Sequence, residues 1–299
     1  MLAGWVVYCR PVCGLSHICQ NWRVLILAAT PIGNLSDASP RLVEHLQSAK
    51  FIAAEDTRTL HKLAMALGIK LQAKTYSLHE HNEGERATQL VDLAVTEDVL
   101  VVSDAGMPTV SDPGFQLVRA CVSAGVEVTV IPGPSAVLAA LAVSGLPTDR
   151  FSFEGFIPRK QGERERFWKA LAAESRTMVF FESPHRIQES LEAAALVLGP
   201  ERQATVSREL TKKFEQTVRG TLRDLADWAK TEPKGEMVVV VSGAEQVQHE
   251  AIDVVAEVLE LVAGGSPMKP AVAQIAEQAQ VSKSELYDLV LKERKARGL

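Results

Sequence analysis

The residues able to do chemistry gather at the ends of short apolar runs. Val24–Ala29 leads into Thr30-Pro31-Ile32-Gly33-Asn34-Leu35, and Phe51–Ala54 into Glu55-Asp56-Thr57-Arg58. Val99–Val102 leads into Ser103-Asp104-Ala105-Gly106-Met107-Pro108, and Val126–Ile131 into Pro132-Gly133-Pro134-Ser135-Ala136. Carboxylates and imidazoles for proton transfer are Glu55, Asp56, His81, Glu83, Glu182 and His185. Each also has a plain reading: a helix cap for Asp56, loop solvation for His81 and Glu83, a turn for His185. Asp104-Ala105-Gly106 and Asp112-Pro113-Gly114 read as two tight turns flanking Met107–Val110. Arg58, Arg159, Lys160, Arg186, Lys212 and Lys213 suit nucleic-acid phosphates as a group, although each alone reads as a solvated charge.

The elements that must position these residues follow from periodicity. The four apolar runs read as buried parallel strands alternating with helices. Ser39-Pro40 opens the first helix, with Ser as cap and Pro at its first position. Helices are expected over 59–67, 85–95 and 113–124, with a polar stretch from Tyr76 to Gly84. In open α/β sheets ligands bind beyond the carboxyl ends of the strands, which is where the four loops fall. A second set of elements follows a linker at 145–150. It has strands over 151–156, 177–181, 203–207, 214–219 and 236–242, and helices over 165–173, 187–197 and 222–229. Consecutive strands there predict a partly antiparallel sheet. Helices at 250–263 and 269–279 follow, and Ser282-Lys283-Ser284-Glu285 opens a last helix as a capping box. The expected class is α/β: a leader over 1–23, an α/β domain over 24–146, a second over 147–246 and a C-terminal helical module over 247–299. That module has helix–turn–helix-like spacing, with Lys292, Arg294, Lys295 and Arg297 on its last helix; a solvated helical cap explains it equally well.

Bulk properties exclude little but direct the reading. A net charge of −5 argues against a basic nucleic-acid coat and leaves room for a local basic patch. Neither a dinucleotide fingerprint nor a Walker A sequence follows the first strand. Cys9, Cys13 and Cys19 surround His17 without a partner motif elsewhere, so no metal site is expected. No apolar stretch is long enough to span a membrane. Residues 1–22 lack the pattern of a signal peptide, so the leader is expected to be disordered, or the natural start to lie near Val24.

Taken in order, the four strand-end motifs, with Ser111-Asp112-Pro113-Gly114, resemble those of the tetrapyrrole-methylase superfamily. The match is strongest to its ribosomal RNA branch, the 16S rRNA cytidine 2′-O-methyltransferases. Glu154–Lys160, Glu182–Arg186, Arg208–Lys212 and Lys234–Glu236 resemble the same branch, so the likeness runs from about Val24 to the C-terminus. It implies two α/β domains with an S-adenosylmethionine (SAM) cleft between them. Pro31, Gly33, Asp104, Ala105, Gly106, Pro108, Val110, Ser135 and Ala136 would line the cleft, closed by Phe181, Glu182, Ser183 and Arg208. It further implies a cytoplasmic homodimer whose substrate is a decoding-region cytidine of 16S rRNA within the small ribosomal subunit. The general base is left open among Glu55, Asp56, His81, Glu83, Glu182 and His185. Two rivals are a methylase of a small tetrapyrrole, sharing fold and donor, and a non-catalytic RNA-binding assembly protein with a vestigial pocket.

Overall fold

The computed structural model describes residues 23–79, 81–244, 251–252, 254–279 and 281–297. The leader, including Cys9, Cys13, His17 and Cys19, lies outside them. The described residues form two compact units, divided between Gly243 and Ala244.

The first unit holds two five-stranded sheets. The first is wholly parallel: β1 (Val24–Ala28), β2 (Phe51–Ala54), β3 (Lys74–Ser77), β4 (Val99–Val102) and β5 (Glu127–Ile131), in the order β3-β2-β4-β1-β5. Side chains alternate across its two faces. Leu25, Ala53, Val99 and Val101 pack with Ala87, Leu90, Leu117 and Cys121 of α3 (Glu83–Ala94) and α4 (Phe115–Ser123). Ala28, Ile52, Ala54, Leu100 and Val102 point the other way, onto Leu42, Leu46, Leu60 and Ala64 of α1 (Pro40–Ser48) and α2 (Thr57–Ala66). Strand order runs outward in both directions from β1 and β4, so the loops beyond those two strands diverge. This is the switch point at which α/β sheets bind ligands.

The second sheet comprises β6 (Phe151–Phe156), β7 (Thr177–Glu182), β8 (Gln203–Arg208), β9 (Gln216–Thr221) and β10 (Met237–Val241), in the order β6-β7-β10-β8-β9. β6 and β7 are parallel; β10 runs antiparallel to β7 and β8, and β9 antiparallel to β8. The start of β10 therefore lies at the same edge as the carboxyl ends of β7 and β8. Trp168, Phe180, Leu191, Val206, Leu225 and Val239 form one core with α6 (Gln161–Ala170), α7 (Ile187–Leu198) and α8 (Leu222–Ala229). Trp168 and Phe180 meet edge-on at 4.9 Å. The opposite face, through Val179, Val238 and Val240, packs on Val137, Ala140 and Leu141 of α5 (Ala136–Ser144). Helix α5, which follows the last strand of the first sheet, thus has its buried face in the core of the second sheet.

Ser39 caps α1 as expected, its hydroxyl accepting from the Leu42 N–H at 3.1 Å. Four sequence expectations change, one of them in the C-terminal module, where the helix expected from residue 250 begins at Val255. Lys74–Ser77 is an edge strand rather than the start of a polar loop. With one neighbour and exposed or half-buried side chains, it shows little apolar periodicity. Helix α6 begins at Gln161, four residues earlier than expected, with Lys160 as cap residue. Helix α2 begins at Thr57 because Asp56 caps it, accepting from the Arg58 N–H at 2.8 Å.

The second unit is built from α9 (Val255–Ala263), α10 (Met268–Ala279) and α11 (Lys283–Arg297) around Val258, Val272, Ile275, Leu286 and Val290. The Ser282 hydroxyl accepts from the Glu285 N–H at 3.4 Å, half of the expected capping box. Among the described residues no helix is long and apolar enough to cross a membrane.

Replacing Phe180 by Ala leaves a cavity in the second core and should cost about 3–5 kcal/mol. Replacing Phe214, 64% exposed, should change stability by no more than about 0.5 kcal/mol. Urea unfolding of both variants checks the contrast.

Candidate active site between the two sheets

A cavity of about 390 Å³ lies at the switch point. That is within the range of small-molecule sites, roughly 300–1,000 Å³. Its first wall consists of Ile32, Ala105–Met107, Val110 and Asp112 from the loops after β1 and β4, with Ser135–Val137 at the start of α5. Its second wall is Phe156, Phe181–Pro184 and Leu210 from the ends of β6, β7 and β8, with Gly235–Val238 entering β10. Both sheets therefore present the same kind of edge to one space.

The first wall is held by backbone. Thr30 and Gly106 exchange N–H···O bonds of 2.9 and 3.1 Å, an isolated antiparallel bridge joining the loops after β1 and β4. The Ser103 hydroxyl donates to the Gly106 carbonyl at 3.0 Å. Beyond it, Thr109 (φ 75°) and Ser111 (φ 62°) occupy the left-handed region, costly for a β-branched residue such as Thr109. The loop is secured at its far end by buried Glu83. Its Oε1 accepts from the Gly114 N–H at 2.9 Å and the Gln116 N–H at 2.7 Å.

The second wall has its own clasp. Lys212 Nζ donates to Glu209 and Glu236, both at 3.0 Å. The Lys212 stem crosses Gly33, where a Cβ would lie 2.4 Å from its Cγ. Gly235 (φ 100°) leaves equal room for Glu209, whose Cγ would lie 2.4 Å from a Cβ there. Glu209 (φ 52°) and Thr211 (φ 65°) repeat the backbone strain of the first wall.

The family model for tetrapyrrole (corrin/porphyrin) methylases matches residues 24–226. Proteins called ribosomal RNA small subunit methyltransferase I are similar along nearly the whole chain. That of Mycobacterium tuberculosis strain H37Rv is 49% identical over 277 residues, covering 92% of this chain and 96% of its own. That of Escherichia coli O157:H7 is 41% identical, covering 90% and 95%. The chain belongs to the tetrapyrrole methylase family, in its ribosomal RNA small subunit methyltransferase I branch. It is a methyltransferase. Solved structures share the fold. Diphthine synthase aligns with a TM-score of 0.57 at 17% identity, covering 73% of this chain and 89% of its own. Uroporphyrin-III-C-methyltransferase from Thermus thermophilus aligns at 0.52 with 20% identity, covering 73% and 94%.

Of the residues expected to line a methylase cleft, Ala105, Gly106, Val110, Ser135, Ala136, Phe181, Glu182 and Ser183 line the cavity. Pro31, Gly33, Asp104 and Pro108 are not in the lining: Pro31 and Pro108 are buried, Gly33 lies under Lys212, and Asp104 accepts from the Asp56 N–H at 3.1 Å. Arg208 is turned to Gln216 and the Lys234 carbonyl, at 2.8 and 3.2 Å. Sequence reasoning missed Ile32, Met107, Asp112, Val137, Phe156, Pro184, Leu210 and Gly235–Val238. Ile32, Met107, Phe156, Pro184, Leu210, Gly235 and Glu236 lie inside motifs that carry the family resemblance, and Asp112 in the Asp-Pro-Gly turn, but none was singled out as lining.

The candidate bases divide sharply. Asp56 caps α2, and the Arg58 guanidinium beside it holds its carboxyl down at about 2. Glu182 is buried and occupied: it accepts from the Ser183 N–H at 2.6 Å, from the Ser190 hydroxyl, and from Arg186 at 2.6 Å. Glu83 is occupied by its two N–H donors. His81 and His185 are exposed and outside the lining; His81 faces His79 at 6.1 Å. Glu55 Oε2 accepts weakly from the Asp104 N–H at 3.4 Å. Burial pushes Asp104 above the ordinary carboxylate range. Asp112, not among the expected bases, is raised to about 7 by burial and by the negative charge of Glu55.

Among the expected phosphate ligands, Lys212 serves as the clasp and Arg186 is paired with Glu182 and the Ile157 carbonyl at 3.2 Å. Arg58 pairs with Asp56, Lys160 pairs with Glu163 at 3.2 Å and is 81% exposed, and Lys213 lies over the Phe214 ring at 5.6 Å. Arg159 is exposed. Among the described residues no grouping of His, Cys, Asp and Glu fits a metal ion.

Gly235→Ala forces a left-handed backbone on a side chain already in contact with Glu209. It should cost at least about 1–2 kcal/mol, measurable by urea unfolding. Asp112→Asn, which leaves this backbone alone, should not show that loss.

Proposed function

We propose that this methyltransferase transfers a methyl group from SAM to the ribose 2′-hydroxyl of a decoding-region cytidine in 16S rRNA of the small ribosomal subunit. The observation that carries the reading is the 41–49% identity, over nine-tenths of the chain, to proteins called ribosomal RNA small subunit methyltransferase I. A homodimer working in the cytoplasm is part of the same proposal.

The cavity suits the donor. The free N–H groups of the first turn of α5 supply polar partners for an adenosyl and amino-acid moiety. The Ser135 hydroxyl makes no cap bond to its own helix and lines the same space. Ile32, Val137, Phe181, Leu210 and Val238 supply the apolar wall. Glu55 and Asp104, whose charges are felt at this loop, set a negative potential that suits a sulfonium cation. When bound, SAM supplies an electrophilic methyl group; the protein's task is to align an oxygen with it and exclude water. Arg159 and Lys160, at the end of the β6 loop and the start of α6, are the exposed cations suited to RNA phosphates.

Incubation with tritiated SAM and small subunits from a strain lacking the enzyme should label a ribose 2′-oxygen, located by nuclease mapping. Label on a small tetrapyrrole instead, or none on RNA, would overturn the reading. Charge reversal at Arg159 and Lys160 should weaken RNA binding and make its loss with salt shallower, while SAM affinity by calorimetry stays unchanged. Unaltered RNA affinity would remove those two residues from the RNA surface.

A further inference from the structure

We propose that Asp112 is the general base that takes the proton from the ribose 2′-hydroxyl. The assignment rests on the 2′-O-methyl transfer proposed for the same cavity and names the group that activates its nucleophile.

The lining contains three carboxylates among the described residues: Asp112, Glu182 and Glu236. Glu182 has its oxygens taken by Ser183, Ser190 and Arg186. Glu236 is 79% exposed at its side chain and bound by Lys212. Asp112 is half-buried, faces the cavity, and forms no ion pair there among the described residues. Ser103 is its hydroxyl neighbour, but that hydroxyl's one proton is directed at the Gly106 carbonyl. The negative charges near Asp112 come from Glu55 beyond β2 and Asp104 in its own loop. On the opposite wall Glu182 pairs with Arg186, while Glu209 and Glu236 share the single charge of Lys212.

A base works best when its acid form has a pKa near the working pH. Asp112 meets this at about 7, through burial first and the Glu55 charge second; Asp56, at about 2, does not. The position is also held. Glu83 fixes the N–H groups of Gly114 and Gln116, and the left-handed Thr109 and Ser111 shape the approach. The step balances. The hydroxyl proton moves to the Asp112 carboxylate as the ribose oxygen bonds the methyl carbon. The electron pair of the broken carbon–sulfur bond stays on sulfur, leaving a neutral thioether. The half-exposed acid then returns its proton to water.

The test compares wild type with Asp112→Asn, which is isosteric with the protonated acid. Wild-type kcat on small subunits should rise with pH through an apparent pKa near 7 and level off. In D112N, kcat should fall by about 100-fold or more and lose that rise, with SAM affinity by calorimetry within about threefold. Thermal unfolding without substrate supplies a second readout. A carboxyl with a raised folded pKa contributes stability below its unfolded pKa, and that contribution is lost as pH rises through the folded pKa. D112N should therefore raise Tm over wild type at pH 8 and not at pH 4. Unchanged kcat and pH profile in D112N, or an equal Tm change at both pH values, would overturn the assignment alone. Wild type that binds SAM but methylates neither subunits nor free 16S RNA would overturn it together with the proposed function.

Discussion

Everything that lines the cavity is kept in register by the packing of α5 on the second sheet. Ala140 is fully buried there, and Val137 and Leu141 sit on Val179, Val238 and Val240. The small side chain of Ala140 allows close approach of helix and sheet. The far end of α5 is tied as well. The Ser144 carbonyl accepts from the Thr205 hydroxyl at 3.2 Å and from Arg219 Nε at 3.2 Å, and Arg219 also reaches the Val143 carbonyl. Because α5 starts at the cavity, a shift along its axis would carry Ser135 and Ala136 with it. The first sheet, through β5 and α5, is thereby attached to the second by packing as well as by chain.

This attachment explains the division of labour in the loops. Regular hydrogen bonding ends at the strand termini. The backbone beyond them is irregular and held by single contacts: a two-bond bridge at Thr30 and Gly106, a carboxylate at Glu83, a lysine between two glutamates. Such positions tolerate left-handed residues because their surroundings fix them from several sides. Four of the five left-handed non-glycine residues among the described residues fall in two of the loops that face the cavity, after β4 and after β8, which fits a site whose geometry is set before a ligand arrives.

Much of the fold was legible because burial imposes a period. Val99–Val102 is apolar throughout since both faces of a central parallel strand are covered. Lys74–Ser77 was illegible for the converse reason: an edge strand has little to bury. The first wall of the cavity could be read from loops following strands. The Gly235–Val238 part of the second wall could not, because only the antiparallel sense of β10 brings its beginning to that edge. Asp112 looked like turn chemistry, since Glu55, whose charge acts on it, is distant in sequence. Lys212 looked like a phosphate ligand because one of its partners, Glu236, is 24 residues away.

Gly33 and Gly235 are small for a reason outside their own turns: each accommodates the stem of another residue, Lys212 in one case and Glu209 in the other. Neither glycine can gain a side chain while its counterpart keeps its length and path. Positions 33 and 212, and likewise 235 and 209, are therefore free to drift only as pairs. A homologue that departs at one should carry a compensating change at the other.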